Sequence, residues 1–393
     1  MKVHLLKLSI GMLALAVLLS ACGGAPATSV AGVALGSVPH WWVVTASSDN
    51  SARVWDAASG ETVAMLQGHT GPVLSAAFSP DGKWVVTSSN DQTAQVWEAA
   101  TGRSVAVLSG HVNGVIGAIF SPDGKLIASR GMDETARIYD AATGEDVGLL
   151  GTVNPDVGHG YAPITTPSFS PDGKFVVTAG EGLGPVSVWD LATGEAVAEY
   201  APGGRTLNTA RFSPNGQFVV ISTGSSAIDT PTSKVAYVWE PQTGETITEF
   251  DGHSDIIYTA AFSPDSQWIV TASRDKTAQV WEAATGEVIA VLSGHTGSVY
   301  SAEFSPDGKW IVTASPDNTA RVWEAATGNV VSVLQGHTGF VVSAYFSPDG
   351  KFVVTASRDN TARVWDAATG TMLTELSGHE AAVNEAVFSP DPK

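Results

Sequence analysis

Short apolar runs separated by polar turns fill most of the chain, and the stretch from His69 to Trp97 shows the pattern whole. VLSAAF and WVVTSS are apolar runs of strand length, with the Pro-Asp-Gly turn SPDGK between them. After a turn at Asp91, polar and apolar residues alternate in TAQVWE, and SVAVLSG follows the AATGR turn. Runs of this length that end at Pro, Gly and Asp are typical of β-strands joined by tight turns. The pattern predicts four short antiparallel strands.

This four-strand pattern recurs along the chain at a nearly fixed interval. TASRDNTARVWDAATG begins at Thr355, and close copies begin at Thr45, Thr87, Thr271 and Thr313. One aromatic residue marks the third strand of each unit: Trp55, Trp97, Tyr139, Trp189, Trp239, Trp281, Trp323 and Trp365. These aromatics are 42 residues apart, except for intervals of 50 on either side of the fourth unit. Such self-similarity indicates a repeat architecture of eight units.

The units resemble the WD-repeat β-propeller family, because each has four short strands and is marked by Gly-His and by Trp-Asp or Trp-Glu. The resemblance implies an all-β, eight-bladed propeller over residues 39–393, with four antiparallel strands per blade. The chain begins its pattern on a second strand, at Trp41, and stops after AAVNEAVFSPD, which we predict to be the first strand of the Trp55 blade. A rival first strand, Val30 to Gly36, carries Ala27 where the C-terminal segment brings His379, and we favour the C-terminal strand.

Each regular unit holds one His, one Thr or Ser, one Asp and one Trp or Tyr, which we call the repeated set. The resemblance implies that the four side chains of a set are hydrogen-bonded to one another. The sets are His69/Thr87/Asp91/Trp97, His111/Ser129/Asp133/Tyr139, His253/Thr271/Asp275/Trp281, His295/Thr313/Asp317/Trp323, His337/Thr355/Asp359/Trp365 and, across the termini, His379/Thr45/Asp49/Trp55. An active site is normally unique, so repetition argues for a structural role over a nucleophilic triad. Histidines placed one per blade cannot converge on one metal ion, and no cofactor is expected.

The first residues read as an export signal. Lys2 and Lys7 precede an apolar run, Leu8 to Ala21, that is too short for a membrane span. Leu19-Ser20-Ala21-Cys22 resembles the lipobox of bacterial lipoproteins, which implies cleavage before Cys22 and lipidation of that cysteine. We therefore expect a signal peptide at 1–21, a lipidated tether at 22–38, and anchoring on the extracytoplasmic side of a bacterial membrane. In a two-membrane envelope this would be the outer membrane, because Gly23 follows the cysteine.

Charge and composition narrow the possible partners. The chain has 39 acidic and 20 basic residues, and a formal net charge of −19. A nucleic-acid-binding surface needs a basic patch, so this balance argues against nucleic acid. The 41 glycines and 20 prolines fall in repeated turns, which is consistent with a turn-rich β protein. We expect a monomer that contacts the membrane only through its lipid.

The fourth and fifth units break the pattern. The fourth follows the long link GTVNPDVGHGYAP, and the fifth carries the enlarged loop TGSSAIDTPTSK. The link joins a fourth strand to the next first strand, and the enlarged loop joins a second strand to a third. In an up-and-down blade these two kinds of connection lie at the same end, so both segments should lie on one face. Irregular loops on a rigid scaffold commonly carry function, although drift of two older units is the alternative. The candidate partner-binding residues are Asn154, Asp156, His159, Tyr161, Glu181, Arg205 and Asp229, with Tyr258 and Tyr300 as weaker additions.

Three functions are open at this stage. The first is a non-catalytic scaffold that binds a protein or peptide on the loop-rich face. The second is a factor in envelope or outer-membrane protein assembly. The third is an enzyme with a site in the central channel, for which Glu303 and Glu385 are the only first-strand carboxylates. Two isolated glutamates are more often channel lining than a catalytic pair. Positions on adjacent strands within reach of one substrate would favour the enzyme, and a wide separation would argue against it.

Overall fold

The turn-bounded runs form β-strands throughout the described part of the chain. The computed structural model describes residues 40–151, 166–179, 185–201, 207–224 and 234–391. Their strands form eight four-stranded antiparallel sheets, the blades of a β-propeller. The predicted fold class is therefore confirmed. These ranges contain no helix with the length and apolarity needed to cross a membrane.

Blades 1 to 4 take their strands from residues 42–200, apart from the C-terminal strand of blade 1. Blade 1 contains β1 (Trp42–Ser47), β2 (Ser51–Asp56), β3 (Thr62–Gln67) and the C-terminal β32 (Val383–Phe388); blade 2 contains β4 (Val73–Phe78), β5 (Trp84–Ser89), β6 (Ala94–Glu98) and β7 (Ser104–Leu108); blade 3 contains β8 (Val115–Phe120), β9 (Leu126–Gly131), β10 (Ala136–Asp140) and β11 (Asp146–Leu150); blade 4 contains β12 (Ser168–Phe169), β13 (Phe175–Ala179), β14 (Val186–Asp190) and β15 (Ala196–Tyr200).

Blades 5 to 8 follow in sequence order. Blade 5 contains β16 (Leu207–Phe212), β17 (Val219–Thr223), β18 (Val235–Glu240) and β19 (Glu245–Asp251); blade 6 contains β20 (Ile257–Phe262), β21 (Trp268–Ser273), β22 (Thr277–Glu282) and β23 (Val288–Ser293); blade 7 contains β24 (Ser301–Phe304), β25 (Trp310–Ala314), β26 (Thr319–Glu324) and β27 (Val330–Gln335); blade 8 contains β28 (Val341–Phe346), β29 (Phe352–Ser357), β30 (Thr361–Asp366) and β31 (Met372–Ser377).

The turn between the first and second strands of a blade follows from its Ser-Pro-Asp-Gly sequence. In blade 2 the Ser79 hydroxyl donates to the Asp81 carboxylate (2.7 Å) and accepts from the Trp84 amide (3.0 Å). The Gly82 amide closes the turn onto the Ser79 carbonyl (2.8 Å) with φ of 65°, a left-handed conformation that favours glycine. The motif fixes the inner hairpin of the blade.

The ring closes through the two ends of the fold. β1 pairs antiparallel with β32, with Thr45 opposite Ala386, and pairs with β2 on its other side. The C-terminal strand is therefore the innermost strand of blade 1, as predicted. The rival segment, Val30 to Gly36, lies outside the described residues.

The core lies between adjacent blades. Val312, Val322 and Leu334 of blade 7 pack in one cluster with Val341 and Trp365 of blade 8. Each blade thus buries one face against the next, and the third-strand aromatic fills that interface. Because no blade buries its apolar residues alone, the stability of each one depends on its neighbours.

Candidate functional site

The repeated set of blade 7 forms a continuous chain of hydrogen bonds. The Trp323 indole N–H donates to the Thr313 hydroxyl (2.8 Å), which lies 2.8 Å from His295 Nε2. His295 Nδ1 lies 2.9 Å from the Asp317 carboxylate. Asp317 also accepts from the amide of Thr296 (2.9 Å) and from the amide and hydroxyl of Thr319 (3.0 and 2.6 Å). The set ties the connection that enters the first strand to the turn between the second and third strands.

The same bonds recur around the ring. The pairs of His Nδ1 and Asp carboxylate are His69–Asp91, His111–Asp133, His253–Asp275, His337–Asp359 and His379–Asp49. His379 also lies 2.7 Å from the Thr45 hydroxyl, so the last of these sets joins the two ends of the propeller. Among the residues that the structure describes, no group of three or more His, Cys, Asp and Glu could hold a metal ion.

Burial favours the neutral imidazole in four of the sets. It lowers the pKa of His69, His295, His337 and His379, although the paired aspartates act in the opposite direction. A neutral imidazole has one N–H and one acceptor nitrogen. The bonding pattern assigns the N–H to Nδ1, which donates to Asp, and the lone pair to Nε2, which accepts from Thr. Every polar group of the set has a partner, which is what a buried structural network requires.

The set of blade 3 has a serine and a tyrosine. The Ser129 hydroxyl lies 2.8 Å from His111 Nε2. The Tyr139 hydroxyl lies near the Ser129 hydroxyl and donates to the Ser109 carbonyl (3.3 Å), because the phenol carries its donor at the far end of the ring. Burial raises the pKa of Tyr139 to about 12, although the nearby Ser129 hydroxyl acts against it. Ser129 therefore belongs to its set through His111.

Blades 4 and 5 depart further from the regular arrangement. In blade 4 the Trp189 indole still reaches the Thr178 hydroxyl (2.9 Å). In blade 5 the buried indole nitrogen of Trp239 has no partner among the described residues. The reason can be read in the sequence, because Ile221 of FVVIST stands where the regular units have the threonine.

We expect Trp239→Phe to cost less stability than Trp281→Phe. Both indoles are 0–1% exposed, so the two changes remove similar apolar contacts. Only the Trp281 indole N–H donates to a threonine hydroxyl, that of Thr271, at 2.8 Å. Loss of that bond should make Trp281→Phe the more destabilising change by about 1–2 kcal/mol. Denaturant unfolding of both variants measures the difference. Equal costs would contradict the assignment of an unpaired indole in blade 5.

The connections between blades and the turns between second and third strands lie on one face. The Arg274 amide donates to the Ile256 carbonyl (2.8 Å), and the Arg358 amide to the Phe340 carbonyl (2.9 Å). The Ser48 amide of blade 1 likewise bonds the Ala382 carbonyl (2.9 Å). These bonds confirm the inference from strand parity. We call this surface the loop-rich face.

Two of the nine candidate partner-binding residues fall in the described ranges. The rings of Tyr258 and Tyr300 meet edge to face with centroids 5.5 Å apart, and burial raises the pKa of the Tyr258 phenol. The other candidates (Asn154, Asp156, His159, Tyr161, Glu181, Arg205 and Asp229) lie outside the described residues. Sequence reasoning missed Phe340, which is 44% exposed and has the Arg358 guanidinium 5.9 Å from its ring centroid. Tyr258, Tyr300 and Phe340 occupy three consecutive blades.

The prediction that Glu303 and Glu385 are isolated in the central channel is wrong. Glu303 and Glu385 are not isolated, because both belong to one cluster with Arg211 and Tyr345, which we call the channel cluster. Arg211 of β16 donates to Glu303 of β24 (2.5 Å), and so spans blade 6. The Tyr345 hydroxyl of β28 reaches Glu385 of β32 (3.4 Å), whose other oxygen accepts from the Ala76 amide (3.1 Å). The four residues come from blades 5, 7, 8 and 1.

The ionisation of the channel cluster follows from this enclosure. The charge of Glu303 raises the pKa of Arg211 above its usual range. Burial raises the pKa of Glu385 to about 7, although the Ala76 amide, the Tyr345 hydroxyl and the Arg211 charge act against it. Burial, together with Glu385 and Glu303, raises the pKa of Tyr345 well above its ordinary value. The cluster thus combines one guanidinium with two carboxyl groups, and burial favours the neutral form of the Glu385 carboxyl.

The closed ring of eight blades and the repeated set together define a WD-repeat propeller. The family model for the WD domain, G-beta repeat, matches residues 60–98, 102–140, 244–282, 286–324 and 328–366. The chain belongs to the WD-repeat β-propeller family.

Two known proteins illustrate the likeness. The crystal structure of the computationally designed Ika8 protein superposes with a TM-score of 0.68 at 26% identity, covering 81% of this chain and 91% of Ika8. Ribosome assembly protein 4 of Chaetomium thermophilum is 54% identical over 41 residues, which are 10% of this chain and 8% of that protein. The second match is about the length of one repeat, so it reflects the repeat more than any function of the whole protein.

Proposed function

We propose that the protein is a lipid-anchored, non-catalytic scaffold that binds a protein or peptide on its loop-rich face, outside a bacterial cytoplasmic membrane. One observation carries the choice of face. Tyr258, Tyr300 and Phe340, with Arg358 against the last, form a partly exposed aromatic and cationic patch on blades 6 to 8. Tyr and Arg are the side chains that most often dominate protein-binding energies. Family membership supports a scaffold, and the fold alone does not fix the function.

The patch adjoins the irregular part of the ring. Blade 6 follows blade 5, and the enlarged segment 223–234 connects the second and third strands of blade 5. The lipobox-like Leu19-Ser20-Ala21-Cys22 supports the anchor. The short match to a ribosome assembly protein supplies no partner, because it spans only one repeat.

Site-specific photo-crosslinking in membrane fractions tests the binding face. We expect a crosslinked partner when the photoreactive residue replaces Phe340, and none when it replaces Met65, an equally exposed apolar residue on the outer strand of blade 1. The double change Tyr258→Ala and Tyr300→Ala should abolish the Phe340 crosslink, as should shortening of 151–162 and 223–234 to the regular pattern. Equal crosslinking from both positions, or a partner that survives both changes, would refute the proposed face.

The anchor has its own test. Cys22→Ala should release the protein from membranes and abolish incorporation of an alkyne-labelled fatty acid. Retention of the label in this variant would contradict lipidation at Cys22.

A further inference from the structure

Basic side chains gather on one part of the loop-rich face. Arg274 and Lys276 lie in the turn between the second and third strands of blade 6, and Arg358 lies in the equivalent turn of blade 8. All three are exposed. Lys234, just before the third strand of blade 5, donates from its ammonium group to the Ser254 carbonyl of blade 6 (2.6 Å). We call these four basic residues the basic sector.

The equivalent places on the other side of the ring carry no cation. Arg274 and Arg358 share one place in the turn, and Lys276 occupies another. Blades 1 to 3 hold uncharged or acidic residues there: Ser48, Asn90 and Met132 at the first place, and Asn50, Gln92 and Glu134 at the second. In the described connections and turns of these three blades, the charged residues outside the repeated sets are Glu134 and Glu380. The loop-rich face is therefore basic on one side and acidic on the other.

Nearby carboxylates do not neutralise the basic sector. Asp275 and Asp359 belong to repeated sets, and their side chains are only 8% and 6% exposed. Every regular blade has the same buried aspartate, so it does not distinguish one side of the ring from the other. Asp255 is the only other carboxylate in the described connections and turns of blades 6 to 8, and it lies 3.7 Å from Arg274. Because both side chains are 39–49% exposed, this pair is weak, and an incoming carboxylate can compete for Arg274.

The cations lie beside the aromatic patch. The Arg358 guanidinium is 5.9 Å from the ring centroid of Phe340. Arg274 is near Tyr258, since its charge lowers the pKa of the phenol, which burial raises. Neither the guanidinium of Arg358 nor the ammonium group of Lys276 has a hydrogen bond or an ion pair with a described residue. The patch thus offers apolar surface next to cations that have donors to spare.

Charge selects the class of partner. The net charge of −19 repels anions from the protein as a whole, so exposed cations concentrated at one place set that place apart. A basic partner would be drawn to the rest of the surface instead. The sector is also short, because the Asn360 amide contacts the Glu380 carbonyl of blade 1, where the acidic side begins. A long polyanion would run onto that side, whereas a short acidic segment would not.

We propose that the loop-rich face recognises an acidic peptide segment of its partner. The Asp or Glu side chains of the segment bind the basic sector, and its apolar side chains contact Tyr258, Tyr300 and Phe340. This inference rests on the proposed function, because it names the chemistry of the partner at the same face. Aromatic contacts alone would account for the exposed rings, but not for cations at places that are neutral or acidic in blades 1 to 3.

Fluorescence anisotropy with labelled synthetic peptides tests the proposal on the full chain carrying Cys22→Ala. The probe is a short peptide of alternating glutamate and leucine, and the matched peptides have glutamine or lysine in place of glutamate. We expect saturable binding of the glutamate peptide with a Kd below roughly 1 mM, weakened by salt, and no binding of the other two. Equal binding of the glutamine peptide, or no saturable binding of the glutamate peptide, would overturn the proposal. Binding to phosphatidylglycerol vesicles without binding of the glutamate peptide would also overturn it, in favour of an anionic lipid surface.

Two pairs of substitutions and one control locate the binding. Arg274→Gln combined with Arg358→Gln should weaken binding of the glutamate peptide roughly tenfold or more. Arg274→Glu combined with Arg358→Glu should abolish the preference for glutamate over lysine, which loss of folding alone would not do. Lys309→Gln, at a 77% exposed side chain on the opposite face, should leave binding unchanged. Circular dichroism checks that each variant is folded. Unchanged affinity in the double glutamine variant would refute the basic sector as the site.

The photo-crosslink at Phe340 separates this inference from the proposed function. A partner that crosslinks equally well with and without the Arg274→Gln and Arg358→Gln changes would refute the acidic segment and leave the partner-binding face standing. Peptide binding with the expected charge preference, but no crosslinked partner in membrane fractions, would instead refute the proposed function and leave the charge preference of the face standing.

Discussion

Deletion of residues 379–393 is expected to prevent formation of a stable ring, so that the shortened chain aggregates or unfolds far below the melting temperature of the full chain. The deletion removes β32, the innermost strand of blade 1. Val383, Ala386 and Phe388 of that strand are at most 8% exposed. It also removes His379, which leaves Thr45 and Asp49 without their buried partner.

The size of this effect follows from what the strand buries. Burial of one Val or Phe side chain contributes about 1.5–3 kcal/mol, and each orphaned buried polar group costs about 1–3 kcal/mol. The sum is comparable to the whole stability of a typical domain, about 5–15 kcal/mol. β1 would in addition become an exposed edge strand, which promotes aggregation.

A shorter deletion is the control. Residues 392–393 follow β32 in the sequence, and their removal should leave the melting temperature unchanged. Differential scanning fluorimetry and gel filtration compare the three chains. A monomer that lacks residues 379–393 and melts with the full chain would show that another segment, such as 30–36, can complete blade 1.

Asp317→Ala should cost about 2–4 kcal/mol of unfolding free energy, because it removes the acceptor of four hydrogen bonds at a side chain that is 7% exposed. Asp307→Ala, in the same blade, is the matched control. Its carboxylate is 54% exposed and bonds the Ser305 hydroxyl and the Lys309 amide, so its loss should cost less than about 1 kcal/mol. Denaturant unfolding measures both. Similar losses of unfolding free energy in the two variants would mean that the repeated set contributes no more to stability than a surface turn does.

The pH dependence gives the Asp317 prediction a second readout. Burial alone would raise the pKa of Asp317, but bonds from Thr319, Thr296 and His295 lower it to about 2. A carboxylate with a depressed pKa in the folded state stabilises the protein above its unfolded pKa of 3.8, and loses that contribution as pH falls toward 2. As pH falls from 4 to about 2, the unfolding free energy of the Asp317→Ala variant should therefore decrease less than that of the unaltered chain.

The repeated sequence predicted most of the fold. Strand order, blade number and closure by His379 all follow from a pattern that recurs in register, because each copy must make the same turns and bury the same aromatic. The unpaired Trp239 indole could also have been predicted from the sequence, since Ile221 stands in the place of a threonine. The bond from the Tyr139 hydroxyl to the Ser109 carbonyl was harder to predict, because it depends on where the phenol ends inside blade 3.

The channel cluster could not be predicted in the same way. Arg211 and Glu303 are 92 residues apart, and their contact spans an intervening blade. It exists only because the ring brings first strands of different blades around one axis. A register comparison of the first strands would have shown Arg211, Glu303 and Tyr345 at equivalent places, but their distances depend on the closed geometry. The loop-rich candidates outside the described residues stay predictions.

Closure of the ring across the termini is the central claim, and a disulfide-trapping measurement tests it most directly. The Ser48 hydroxyl lies 3.1–3.2 Å from the side-chain amide of Asn384. In a Cys22→Ser background, Ser48→Cys combined with Asn384→Cys should form an intramolecular disulfide that is visible as a monomer of altered mobility on a non-reducing gel. Ser48→Cys combined with Asn208→Cys, at the equivalent place in blade 5, should leave both thiols free. A disulfide in the control pair, or none between positions 48 and 384, would contradict the closed ring.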